Sequence, residues 1–141
     1  GGMEGLVESL QRLLRSELSL RIAYLFGSVA RHADGPNSDV DIAVLPKDPE
    51  FPLKAELDLQ ARLSSKLGRE IDLVRLDLCS PAIRFRVARE GIELLGDALD
   101  LTRFRARAGI EHAELEPQLE AARRRYLSAL QSAASRSAGK P

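Results

Sequence analysis

Four short apolar runs alternate with stretches of helical pattern in this chain of 141 residues, and that alternation restricts it to an α/β architecture. The runs are LSLRIAYLF, which is rich in strand-forming residues, DVDIAVL, EIDLVRL and, as a short candidate fourth strand, IELLG. Ahead of them, Glu4 to Ser16 sets Leu6, Val7, Leu10, Leu13 and Leu14 at helical spacings. Pro52 is expected at the first position of another helix, with Leu53, Leu57, Leu59, Leu63 and Leu67 on one broad face and Gly68 as its stop. Ser80-Pro81 opens a third helix that ends at Gly91. From Leu101 to about Ala134 the pattern is helical again, with a break expected at Pro117. The result is a small mixed sheet with packed helices and a C-terminal helical tail.

The first two runs pose the chemical question. The first ends at Gly27-Ser28, and the second begins Asp39-Val40-Asp41 after a loop dense in turn residues. Ser28 is a suitable N-cap for a short helix through Val29 to Arg31. In a strand Asp39 and Asp41 project from one face, about 7 Å apart. Carboxylates held that close repel unless a proton or cation lies between them, and magnesium is commonly held by a few carboxylates together with substrate phosphates. The third run offers Asp72 and Asp77 as a further carboxylate. Strand parity separates them, because Asp72 shares its face with Val74 and Leu76 while Asp77 points away, and Asp72 is the one chosen. At the Gly27-Ser28 turn, free N–H groups and the Ser28 hydroxyl can receive a phosphate, with Gly27 allowing close approach. A phosphate clamp facing a metal clamp suits in-line attack on a nucleoside triphosphate. Taken singly, each piece has an ordinary rival, an N-cap serine or a solvated Asp-x-Asp.

Together, Gly27, Ser28, Asp39 and Asp41 resemble the signature of the DNA polymerase β-like nucleotidyltransferase superfamily. The short chain is similar within it to the minimal nucleotidyltransferase antitoxins encoded beside HEPN ribonuclease toxins. That resemblance, which covers about Leu18 to Gly96 well and the tail more loosely, implies a nucleotidyltransferase fold; with the helical pattern it divides the chain into a domain over residues 3–98, a helical tail over 99–134 and a disordered end at 135–141. It also implies that Asp39, Asp41 and Asp72 bind the metals, two Mg2+ ions, and carry the chemistry, with Gly27, Ser28 and Arg31 on the triphosphate of ATP. By the same resemblance the reaction is transfer of AMP to a tyrosine of the partner toxin. Two rivals remain: an inactive antitoxin that neutralises its toxin by binding alone, and a small-molecule nucleotidyltransferase. Against the second, the tail looks too thin to build an acceptor pocket.

Composition narrows the partners. Basic and acidic residues both number 21, so no global field draws the chain to nucleic acid or a membrane, and no direct nucleic-acid contact is expected. No run approaches the roughly twenty apolar residues of a membrane span. The single cysteine, Cys79, allows no internal disulfide and fits a reducing, cytoplasmic setting. It reads as a small half-buried residue, and His32 and His112 as structural. The basic run Arg123 to Tyr126 is offset by Glu111, Glu114, Glu116 and Glu120, which favours a solvated or partner-facing helix.

Overall fold

A computed structural model of the chain describes residues 2–30 and 39–138, with the backbone alone of Ser28, Val29 and Ala138. Its elements are α1 (Gly2–Leu14), β1 (Leu20–Phe26), α2 (Gly27–Ala30), β2 (Val40–Pro46), α3 (Leu53–Leu67), β3 (Ile71–Arg75), α4 (Pro81–Glu90), β4 (Ile92–Leu95) and α5 (Ala98–Ala138). The strands form one sheet in the order β3-β2-β1-β4. β1 is antiparallel to both its neighbours, whereas β2 and β3 run parallel across the α3 crossover. The sheet is therefore mixed, as the sequence led us to expect.

Alternation along the strands sends side chains to two cores. Ala23, Leu25, Val40, Ile42, Val44 and Ile71 pack on one face with Leu10 and Leu14 of α1 and Leu59 and Leu63 of α3. Ile22, Tyr24 and Ala43 pack on the other with Val87 of α4 and Leu101 of α5. The carboxylate-bearing positions of β2 and β3 lie on this second face, beside α4.

Local signals place several boundaries. Gly68 caps α3 in the left-handed conformation, φ 64° and ψ 28°, where a side chain would be strained. The Ser80 hydroxyl accepts the Ile83 N–H at 3.3 Å and Pro81 takes the first turn, so α4 starts where its sequence says. Three expectations need correcting. Pro52 is the extended N-cap of α3 and not its first helical residue, with φ −76° and ψ 153°. The short helix after β1 already includes Gly27, so Ser28 is a helical residue and not its N-cap. α5 runs unbroken through Pro117 to Ala138, four residues into the end expected to be disordered. Proline removes one backbone bond, and in an exposed helix water can satisfy the freed carbonyl. Among the described residues no helix is long and apolar enough to cross a membrane.

Candidate active site

The register of the parallel pair decides where the carboxylates meet. Asp41 of β2 stands directly beside Asp72 of β3, and Phe26 of β1 is opposite Asp41 on its other side. Asp39 lies just ahead of β2, exposed, while Asp41 is half-buried. Burial raises the Asp41 carboxyl above its ordinary value, with Asp72 and then Asp39 adding to the shift; Arg86 opposes it. Asp39, just ahead of β2, and Asp72 of β3 thus both act on Asp41, so a cation or a proton is stabilised beside it.

Gly27 closes the site from the side of β1. It is buried with φ +80°, and a Cβ at this position would collide with Oδ2 of Asp41. Only glycine lets the turn lie this close to the carboxylate. The Ser28 side chain and all of Arg31 and His32 lie outside the described residues. Among the described residues no three His, Cys, Asp or Glu side chains form a ready-made metal cage. Magnesium is commonly held through one or two carboxylates and completed by substrate phosphates and water, so the donor set fits that ion.

Asp77 is engaged elsewhere. It accepts two hydrogen bonds from the buried Arg75, at 2.9 Å from Nε and 2.8 Å from Nη2, and Arg75 also pairs with Glu56 at 3.3 Å. A depression of about 550 Å³ at that end of β3, lined by Phe51, Leu53, Val74, Arg75 and Leu78 among others, includes none of Asp39, Asp41 and Asp72.

The family model described as polymerase beta nucleotidyltransferase matches residues 8–98, which carry all four strands and end where α5 begins. The chain belongs to this nucleotidyltransferase family. It is 32% identical over 111 residues to the protein adenylyltransferase MntA of Shewanella oneidensis, covering 78% of this chain and 79% of that one. In fold it is similar to a chain of a toxin–antitoxin crystal structure with AMP-PNP, with TM-score 0.70, 29% identity, and coverage of 89% of this chain and 98% of that one. It is also similar to a chain of the structure of the tri-AMPylated Shewanella oneidensis HEPN toxin with MNT antitoxin, with TM-score 0.66 and 28% identity over 92% of this chain and 99% of that one.

One charged residue of this nucleotidyltransferase escaped the sequence reading. Arg86 on α4 lowers the Asp41 carboxyl while its Nε sits 3.7 Å from Glu90 Oε2. No local motif marks it. Its place follows from Val87, whose burial against the sheet fixes how α4 lies over the carboxylates. Cys79 is partly buried and burial pushes its thiol up, so it is a poor nucleophile. His112 stacks on Phe85 with ring centroids 3.7 Å apart, a packing role.

Proposed function

We propose that this nucleotidyltransferase is an antitoxin that transfers AMP from ATP to a tyrosine of a cognate HEPN-type ribonuclease toxin and silences it. The observation that carries the reading is the in-register pair Asp41 and Asp72, with Gly27 close enough that nothing larger fits beside Asp41. In this reading Asp39, Asp41 and Asp72 hold two magnesium ions, and the Gly27-Ser28 turn with Arg31 receives the triphosphate. Magnesium, when bound, supplies charge neutralisation at the phosphates.

The chain's own residues do the rest. Burial, Asp72 and Asp39 raise the Asp41 carboxyl, so arriving positive charge favours its ionised form, which couples site assembly to substrate. The acceptor oxygen forms a bond to the α-phosphorus, the bond to the β-phosphate oxygen breaks, and pyrophosphate leaves. In this reading the phenolic proton passes to the carboxylate of Asp72, a residue of the edge strand β3. The added AMP sets a bulky anion on the toxin, where it repels RNA phosphate.

Catalysis and mere covering differ in number. A catalyst silences excess toxin, whereas a blocking antitoxin must match it one for one. Toxin mixed with limiting protein, ATP and magnesium should gain mass in AMP units and lose ribonuclease activity. Asp72→Asn should keep much of the ATP affinity and lose turnover at least about a hundredfold. Asp77→Asn should weaken the fold through Arg75 and leave turnover per folded molecule near wild type. Full inhibition without ATP, at stoichiometric amounts and untouched by Asp39→Ala, would overturn the reading.

A further inference from the structure

Helix α5 outruns the domain it packs on. Its first part is tied down: Arg105 pairs with Glu93 at 3.0 Å, Glu111 accepts two bonds from Arg84 at 2.9 and 3.1 Å, and His112 stacks on Phe85. From residue 113 to 137 no residue is buried. That leaves about 40 Å of helix standing off the body, and a helix so poorly packed is marginal in water.

The free arm is patterned. Leu119 and Tyr126 are 60% and 65% exposed, and Leu127 and Leu130 about half exposed. With Ala122 and Ala133 they recur at helical spacing and form one apolar stripe. Around the helix Arg123 falls within that face, while Arg124 borders one edge and Arg125 and Arg136 the other. The last 21 residues hold five of the 21 basic residues and none of the 21 acidic ones. The chain is neutral as a whole only because the rest of it is acidic.

These features choose among occupants. A second copy would set the Arg123–Arg125 run against itself in a parallel pairing, and in an antiparallel pairing centred on Tyr126 would leave the two runs about one helical turn apart with no acidic residue opposite them. Nucleic acid would satisfy the arginines and leave the leucines and Tyr126 in water. A protein groove that is apolar along its floor and rimmed by Asp and Glu satisfies both. The arm is also joined through α4 to the body that carries the site, since Arg84 and Phe85 of α4 hold Glu111 and His112 of α5.

We propose that the C-terminal half of α5, through Leu119, Tyr126, Leu130 and the Arg123–Arg125 run, is the docking handle for the acceptor protein. This rests on the reading of the chain as a protein adenylyltransferase, and it adds that the family core of residues 8–98 does not grip the acceptor unaided. The test uses the full chain, the cognate HEPN toxin, and the variants Leu119→Glu with Leu130→Glu and Arg123→Glu with Arg125→Glu. Each pair should weaken toxin affinity at least about tenfold and raise the KM for toxin, with ATP affinity and kcat at saturating toxin unchanged. Wild-type affinity should fall with added salt. Unchanged toxin affinity in both variants would overturn the proposal. So would a wild-type dimer that Leu119→Glu with Leu130→Glu makes monomeric, or single-stranded RNA binding lost in Arg123→Glu with Arg125→Glu. If the wild type binds toxin but transfers no AMP, the functional reading falls while the same affinities still decide the docking.

Discussion

Asp41 carries a measurable signature of its neighbours. Its carboxyl is raised by burial, Asp72 and Asp39, so the folded chain holds this proton more tightly than the unfolded one. Stability from that proton is fully present below the ordinary value of 3.8 and is lost as pH rises through the higher folded value. We therefore expect the melting temperature of wild type minus that of Asp41→Asn, measured in chelator, to fall as pH climbs from about 4. Magnesium with ATP should then raise the wild type and leave the variant almost unmoved. The sequence shows why this residue can be found in advance, and where the finding stops. Asp39 and Asp41 stand out because two carboxylates at the mouth of an apolar strand need a compensating charge, and strand parity selects Asp72. Arg86 is silent in sequence, because what brings it near Asp41 is the packing of α4 on a different part of the chain.

Beside the Phe85–His112 stack, one arginine ties α4 to α5. Arg84 pairs with Glu111 and also donates from Nη1 to the carbonyls of Leu76 and Cys79, at 3.1 and 2.7 Å. Arg84→Met strands two carbonyls and should cost about 2 kcal/mol in urea unfolding. Glu111→Gln loses an ion pair that is partly open to solvent and should cost less than about 1 kcal/mol. The ordering of these two values checks whether the carbonyl contacts or the charge pair bind the helices. Elements with a chemical stop sign were legible, such as α3 at Gly68 and α4 at Ser80-Pro81. Pro117 misled for a physical reason. A proline breaks helices most surely where a neighbour must replace the lost bond, and this stretch of α5 has water on nearly every side.

The molecule divides its labour along its length. Strands β2 and β3 and the residue ahead of β2 carry the three carboxylates, and the outer part of α5 carries none of them. Trypsin should therefore cut first at Arg123, Arg124 or Arg125, where the helix opens without disturbing a core, and the shortened body should bind ATP with magnesium as the whole chain does. Bound toxin should slow that cut. The same exposure bears on how long the protein would last. With the proposed docking, a free copy would offer cellular proteases an uncovered helix and a copy engaged with its target would hide it, so supply would track the amount of toxin present. A clipped copy would be a competent enzyme without an address, still able to spend ATP chemistry on whatever it meets yet unable to hold the one protein it must modify. Control over the toxin would then lapse through loss of a handle while every catalytic residue stayed intact.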